Sequence, residues 1–335
     1  MDITPVIWLV TIAVTIAFFV FEFFAHVRKA HAPSVREASL WSLFYIGLAV
    51  LFGIGVGVVS GWTFGGEFFA GYLTEKALSV DNLFVFLIIM TGFAVPRAYQ
   101  QKVLMIGIVI ALVMRGAFIA LGAALIENFS WVFYIFGALL LFLAWRQVAT
   151  HGHESDPTKN LFVRIARRTV PVSDEYHGDR LSVRVDGRRM FTPMLLTIVA
   201  IGFIDLVFAL DSIPAIYGLT DEAYLVFTAN AFALMGLRQL YFVVGGLLER
   251  LVYLAQGLAV ILAFIGVKLL LHALHVNELP FINGGKGVEW APEIPIWFSL
   301  AFIAATIAVA TVASLVATRR REARDARETM DADAS

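Results

Sequence analysis

The amino acid that this 335-residue sequence lacks altogether is cysteine. Disulfide frameworks, cysteine-ligated zinc sites and iron–sulfur clusters are therefore excluded. Charge is scarce as well, since 15% of the residues are Asp, Glu, Lys or Arg and 60% are hydrophobic. A soluble domain of this size needs more polar surface to face water. The net charge of −1 also lacks the basic excess of a nucleic-acid-binding protein, so we expect the lipid bilayer, and not nucleic acid, as a partner.

Long hydrophobic runs dominate what is present. A helix needs roughly 20 mostly apolar residues to cross the hydrocarbon core, and about nine stretches reach that length. We number them spans 1 to 9, at 5–27, 40–60, 67–91, 102–125, 129–149, 193–216, 224–247, 252–273 and 294–317. Span 1 lacks a basic start and a small-residue cleavage site, so it is expected to be retained and not removed as a signal peptide. The predicted fold is an all-α polytopic membrane protein with about nine transmembrane helices.

Lys and Arg are distributed unevenly between alternate loops. If the N-terminus lies outside, the cytosolic segments 28–39, 92–102, 146–192, 248–252 and 318–335 hold 20 of the 25 basic residues. The loops on the opposite side then hold only Lys286. Because basic loops stay in the cytosol during membrane insertion, we predict an external N-terminus and a cytosolic C-terminus.

The long connection 150–192 is polar and is predicted to be cytosolic. Residues 160–168 fit a short basic amphipathic helix on the membrane surface. Residues 181–190 alternate in polarity around Asp186 and Gly187, which predicts a β-hairpin with a tight turn. Spans 1 and 2, in 1–66, are expected to be peripheral. The segment 276–335 is expected to hold an external loop, span 9 and a basic cytosolic tail.

One pattern of polar residues occurs twice. A carboxylate is followed six residues later by a second carboxylate and then by a small polar side chain: Glu75, Asp81 and Asn82 in span 3, and Asp205, Asp211 and Ser212 in span 6. The next span of each set carries an arginine, Arg115 or Arg238, with a glycine seven residues later. Spans 3–5 (67–149) thus resemble spans 6–8 (193–275). Because the offset is three helices, the two copies must be inverted in the membrane, as in many secondary transporters.

The carboxylates of the repeat are the candidate functional residues. A charge near the bilayer centre costs at least ~2.5 kcal/mol on insertion scales, so it normally faces the protein interior or water. Helical spacing places Glu75 and Asn82 on one face, and Asp205 and Ser212 on another. Two such faces, opposed, would surround an ion. The predicted metal ligands are Glu75, Asp81, Asn82, Asp205, Asp211, Ser212 and Asn230.

Three of these assignments have alternatives. Asn230 in span 7 could serve instead as a helix–helix hydrogen bond. Pro214 frees the carbonyl of Leu210 as a further ligand, or it only kinks the helix. The basic residues within spans 3, 4 and 7 are predicted to gate the site or balance its charge, with static ion pairing as the alternative: Lys76, Arg115 and Arg238. The acidic residue of span 1, Glu22, lies outside the repeat and is given less weight.

The donor chemistry restricts the cation. Carboxylate, amide, hydroxyl and carbonyl oxygens favour hard ions such as Mn²⁺, Ca²⁺ and Mg²⁺ over copper or zinc. Nothing in the sequence resembles a P-loop or an aspartyl-phosphate motif, so we expect coupling to protons or to the membrane potential. We expect a transporter and not an enzyme, with no resident cofactor.

The same segments resemble a known family. Residues 71–85 and 208–216 resemble the two signature segments of the TerC family, and 230–238 and 259–268 resemble its later helices. This resemblance implies a bacterial inner-membrane protein that exports manganese, with older links to tellurium resistance. The acidic residues carried over by the motif match are Glu75, Asp81, Asp205 and Asp211. Some manganese-exporting relatives have a glutamate at the position of Gly202, which makes this chain's ion preference open.

The sequence therefore predicts a secondary-active exporter of a divalent cation, first of all Mn²⁺, coupled to protons. Clustered carboxylates in a low-dielectric pocket cannot all stay ionised without a cation, so metal binding would displace protons. Two alternatives stay open. One is a membrane-embedded assembly or metalation factor that works with the membrane-insertion machinery. The other is a transporter for Ca²⁺ or one related to tellurium stress.

The predicted topology can be tested with two reporter fusions. A reporter fused at Gly187 should be cytosolic and one fused near Gly285 should be external, because the basic residues favour that orientation. Alkaline phosphatase and green fluorescent protein fusions report the two sides independently. The same side for both positions would contradict the arrangement of spans.

Overall fold

The computed structural model describes residues 1, 3–24, 33–149, 173, 176, 178, 180–185, 188–244, 251–288 and 290–333. The amphipathic helix expected at 160–168 lies outside these residues. The regular elements are, in chain order, α1 (Pro5–Glu22), α2 (Val35–Ser60), α3 (Trp62–Gly92), α4 (Arg97–Asn128), α5 (Val132–Ala149), β1 (Ser182–Val185), β2 (Arg188–Phe191), α6 (Pro193–Tyr217), α7 (Ala223–Met235), α8 (Leu237–Val244), α9 (Leu254–His275) and α10 (Ile296–Asp333).

These helices confirm the all-α polytopic fold. Within the described residues, eight helical stretches are long and apolar enough to cross a membrane, and α7 with α8 supplies one of them. The one predicted span missing from that set is span 3, which corresponds to α3. This helix has 31 residues but carries too many charged residues to qualify. Its neighbours α2, α6, α7 and α10 pack around it. The buried carboxylate of Glu75 on α3 is therefore shielded from lipid by other helices.

Local sequence signals set several helix ends. The Thr4 side chain accepts a hydrogen bond from the backbone of Ile7 at the start of α1, and Ser34 caps α2 in the same way. Gly61, with a φ of 110°, is the only residue between α2 and α3. Because an L side chain rarely adopts that backbone conformation, glycine permits this sharp reversal between two membrane helices.

The outer helices present apolar side chains to their surroundings. Val59 on α2 is 85% exposed and Leu9 on α1 is 70% exposed, and α10 exposes a similar row of valines. Contiguous apolar surface of this kind is unstable in water but stable against acyl chains. By contrast, α7 is buried along almost its whole length. The protein thus has lipid-facing helices around an inner group to which α3 and α7 belong.

The predicted hairpin is confirmed by β1 and β2. The two strands are antiparallel, with Val183 opposite Met190. The Thr192 hydroxyl donates to the Arg180 carbonyl, and the Tyr176 hydroxyl donates to the carbonyl of Phe93 between α3 and α4. These contacts hold the hairpin region against that end of the helices.

Helix contacts follow the pairing that an inverted repeat requires. The first helix of each predicted repeat packs against the second helix of the other, since α3 contacts α7 and α4 contacts α6. The third helices, α5 and α9, pack against each other, and they meet at Gly137 and Gly266. The inverted relation itself stays a prediction.

The glycine crossing generates a stability prediction. A Cβ added at Gly137 or at Gly266 would lie 3.0 Å from the carbonyl oxygen of the other glycine. Gly266→Ala should therefore destabilise the protein by about 1–3 kcal/mol, as overpacking does. Thermal unfolding in detergent measures the effect. The matched control is Gly47→Ala, because nothing lies within 4 Å of the added methyl group; an equal loss in both variants would contradict the close crossing.

Candidate functional site

A buried arginine stands at the centre of the helical core. Arg115 lies in the middle part of α4 and its side chain is 1% exposed. Its Nε and Nη2 donate to the two carboxylate oxygens of Asp205 on α6, at 3.1 and 3.3 Å. The Nη1 group donates to three further oxygens: Glu75 Oε1, Ser212 Oγ at 3.0 Å and Asn230 Oδ1 at 2.9 Å. One guanidinium thus joins α3, α4, α6 and α7.

The cluster contains more potential negative charge than positive charge. The side chains of Glu75, Asp205 and Arg115 are all buried. With both carboxyls ionised, these three side chains carry a net charge of −1. In a low-dielectric interior such an imbalance attracts a further cation or a proton.

Further oxygens of α3 lie buried without partners. Among the described residues, Glu75 Oε2, Thr74 Oγ1 and Ser79 Oγ have no hydrogen-bond partner. A buried polar atom without a partner costs about 1–3 kcal/mol, so native structures usually supply water or an ion for it. These oxygens lie on the helix that also carries Asp81. The donor set suits a hard cation.

The structure brings together four of the seven predicted ligands: Glu75, Asp205, Ser212 and Asn230. Asn82 is buried on α3. Asp81 and Asp211 lie within α3 and α6, but their side chains are outside the part of the chain that the structure describes. Among described side chains, no group of three or more His, Asp or Glu is arranged to hold a metal. The ligand assignments therefore stay predictions.

Asn230 makes the interhelical hydrogen bond that was its alternative role. Its Oδ1 accepts from Arg115 on α4, while its Nδ2 donates to the Val226 carbonyl of its own helix at 3.0 Å. The ligand role of Asn230 stays a prediction, and it requires displacement of the guanidinium to free Oδ1. Pro214 lies inside α6, which continues to Tyr217. A role for the Leu210 carbonyl stays a prediction.

The other two basic residues have separate partners. Lys76 Nζ donates to the Ala233 carbonyl at 3.2 Å, close to the break between α7 and α8 at Gly236. Arg238 Nη2 binds Glu22 of α1 at 3.1 Å. Although Arg115 and Arg238 occupy corresponding positions in the predicted repeats, they serve different clusters. Sequence reasoning gave Glu22 too little weight, although a buried acid in an apolar span was the available signal.

Membrane-spanning helices packed around a buried ionic cluster define a polytopic membrane protein with an intramembrane polar site. The chain belongs to the integral membrane protein TerC family, whose model matches residues 60–322. That match includes the four residues described above as partners of Arg115: Glu75, Asp205, Ser212 and Asn230. It confirms the family resemblance of the sequence.

Relatives cover most of the chain. The "Uncharacterized membrane protein Rv2723" of Mycobacterium tuberculosis is 50% identical over 325 residues, which are 96% of this chain and 82% of that protein. The "Putative membrane-bound redox modulator Alx" of Photorhabdus laumondii is 38% identical over 252 residues, 73% of this chain and 79% of that protein. The "Thylakoid membrane protein TERC, chloroplastic" of Arabidopsis thaliana is 43% identical over 226 residues, 68% of this chain and 59% of that protein. No solved structure matches the chain.

The central ion pairs predict a specific pattern of stability. Arg115→Met should destabilise the protein by about 3–5 kcal/mol, because it leaves two buried carboxylates without their cation. Adding Glu75→Gln and Asp205→Asn should recover much of that loss by removing the stranded charges. Thermal unfolding of the purified variants measures both effects. Arg36→Met, at an exposed position of α2, is the control; failure of the acid replacements to recover any stability would contradict the charge-pairing account.

Proposed function

We propose that this protein is a secondary-active exporter of divalent metal cations, with Mn²⁺ as the first substrate to test. The observation that carries the proposal is the convergence of Glu75, Asp205, Ser212 and Asn230 on one buried point between four helices. Acidic residues at such depth normally mark an ion pathway. The proposed substrate path therefore runs through the helices that this cluster joins.

The chemistry of the cluster favours a hard cation. Its acceptors are carboxylate, hydroxyl and amide oxygens, which suit Mn²⁺, Mg²⁺ and Ca²⁺. Softer ions prefer thiolate, and the chain has no cysteine. Mn²⁺ stands first because the family resemblance points to it. The glycine at position 202, where some exporters have an acid, is the reason to test the other ions beside it.

Arg115 has a defined part in this proposal. Its guanidinium is hydrogen-bonded to the same oxygens that a metal ion would bind. A guanidinium does not lose its proton in proteins, so its positive charge is permanent. A cation can therefore bind these oxygens only if the Arg115 side chain moves away. In this mechanism the arginine balances the carboxylates while the metal is absent, and metal and arginine bind alternately. The carboxylates stay paired with a positive charge in both states.

Protons are the proposed coupling ion. A carboxylate that releases its metal in a site without water must bind another positive charge, which is the guanidinium or a proton. Exchange of metal for protons then needs no separate proton path. No nucleotide-binding motif in the sequence supplies an alternative energy source.

The names of some relatives raise a redox role. The designation "redox modulator" belongs to the Alx proteins. In this chain thiol–disulfide exchange is excluded because cysteine is absent. A redox effect of this protein would then act through a redox-active cargo such as Mn²⁺, which is compatible with export.

Flux through the purified protein tests the proposal. In proteoliposomes we expect uptake of Mn²⁺ that a pH gradient accelerates, compared side by side with Ca²⁺, Mg²⁺ and Zn²⁺. Asp205→Asn and Asp81→Asn keep side-chain shape and remove charge, so the protein should insert while flux falls at least about tenfold. The charge-matched control is Glu293→Gln, because Glu293 is exposed and pairs with His275, far along the chain from the cluster.

Two outcomes would contradict export. Unchanged Mn²⁺ flux in Asp205→Asn and Asp81→Asn would remove these acids from the path. Absence of flux for all four ions, together with a stable complex with the membrane-insertion machinery, would favour the assembly-factor alternative.

A further inference from the structure

A second buried ionic cluster lies outside the site described above. Its centre is Glu22, the last residue of α1, which is 1% exposed. One oxygen of its carboxylate, Oε1, accepts three hydrogen bonds. The donors are the Tyr45 hydroxyl of α2 at 2.6 Å, and Gln239 Nε2 at 2.9 Å and Arg238 Nη2 at 3.1 Å, both from α8.

Arg238 extends the cluster to a fourth helix. Its Nη1 donates to Gln101 Oε1 near the start of α4, at 2.9 Å. Arg238 is therefore bound to α1 and α4 at the same time, from a position on α8. Its side chain and those of its partners are buried. These contacts tie the short helix α8 to the rest of the protein.

A narrow crevice leads to this cluster. It runs from Pro33 and Glu37 at the start of α2 to Arg238 and Gln239, and its volume is about 10 Å³. That volume holds about one water molecule. Among the described residues, Arg238 Nε and Gln239 Oε1 have no hydrogen-bond partner, so a bound water would satisfy both. A crevice of this volume is too small for a hydrated cation.

The crevice opens toward one end of the helices that form the cation site. Gln101 and Arg115 both lie on α4, and their separation of 14 residues corresponds to roughly 21 Å along the helix. The crevice lies at the Gln101 end, near the starts of α2 and α4. The distribution of basic residues assigns that end to the cytosol. Arg238 thus stands between the predicted cytosolic surface and the cluster around Arg115.

The helix that carries Arg238 is a separate segment. α7 ends at Met235 and α8 begins at Leu237, with Gly236 between them. Beside this break, the carbonyl oxygen of Ala233 accepts a hydrogen bond from the Lys76 side chain, so this carbonyl does not depend on the helix backbone alone for a hydrogen bond. A helix of 8 residues with a break at its start can change its direction without unfolding α7.

We propose that Glu22 is a positioning residue of the transport reaction. Glu22 holds Arg238 in place so that the guanidinium closes the cytosolic crevice. When this ion pair separates, α8 can move at Gly236, and the crevice opens to a hydrated cation. The inference rests on the proposed function in one respect, which is that cations reach the cation site through this crevice. Closure itself does not depend on transport and is measured separately.

The physical chemistry of a buried ion pair suits reversible closure. Without water, each charge needs the other, because removal of one partner leaves the second uncompensated. When water enters the crevice, both charges regain hydration and the pair separates at little net cost. Tyr45, which belongs to α2 and does not move with α8, then keeps a hydrogen bond available to Glu22, and this bond retains the carboxylate near its position for reclosure.

The absence of native cysteine allows a direct test of closure. Ser42→Cys places a thiol on α2 between Trp41 and Tyr45, where the native hydroxyl is buried and has no partner among the described residues. Ser79→Cys places one on α3 beside the cation site. The exposed position Ser39→Cys serves as the fully accessible reference. In inside-out vesicles, a membrane-impermeant maleimide measures access from the cytosolic side.

The proposal predicts how the pair controls labelling. With Glu22 present, the thiols introduced at positions 42 and 79 should react slowly relative to the reference thiol at position 39. Glu22→Gln removes the charge while keeping a side chain that accepts hydrogen bonds, and it should accelerate labelling of both buried positions at least about tenfold. Arg238→Gln should do the same. Glu293→Gln, the charge-matched control, should leave all three rates unchanged.

A double variant separates closure from a merely structural bond. Glu22→Arg combined with Arg238→Glu restores an ion pair of reversed polarity and should return labelling toward the slow rate. Equal labelling at position 79 with and without the pair, in variants that elute as monodisperse protein, would overturn the proposal. So would faster labelling that the reversed pair does not slow. Loss of metal flux with normal control of labelling would contradict the proposed function and leave closure intact.

Discussion

The constraint on which this structure depends is that a charge inside a membrane must be paired. Arg115 is buried in the core and binds Glu75 and Asp205. An unpaired ion at that depth costs several kcal/mol, because the hydrocarbon core and the packed apolar side chains solvate a charge poorly. The pairing therefore requires α3, α4 and α6 to converge. It also explains why α3, which carries four charged residues, lies inside the helical group while α1, α2 and the apolar part of α10 face lipid.

The same constraint connects fold and function. If the protein is a transporter, as we propose, it must bind its substrate and also remain folded after releasing it. The carboxylates of an ion site become a liability once the ion has left, since like charges in a low dielectric repel each other. A tethered guanidinium removes this difficulty because it takes the place of the departed ion. Stability in the unloaded state and competition with the substrate are then two effects of one residue, Arg115.

Sequence alone predicted the spans, the hairpin and the convergence of Glu75 with Asp205, because hydropathy and the spacing of charges are local properties. It did not predict which arginine binds which acid. Arg115 and Arg238 look equivalent in the sequence, yet Arg238 binds Glu22, which belongs to α1, a helix outside the predicted repeats. Apolar faces toward lipid and toward other helices have the same composition, so hydropathy does not reveal helix neighbours. The break at Gly236 was missed since glycine is common within membrane helices.

The two ionic clusters differ in what they join, and this difference assigns them different tasks. The Arg115 cluster connects helices of both predicted repeats, so movement between the repeats changes its geometry directly. The ion pair between Arg238 and Glu22 instead connects α8 to α1, which lies outside both repeats, although Arg238 also binds Gln101 of α4. An ion pair between the two repeats can respond to a bound ion. An ion pair that anchors one repeat to an outer helix limits how far that repeat moves. In the proposed mechanism, substrate binding therefore belongs with Arg115, and control of access belongs with Arg238.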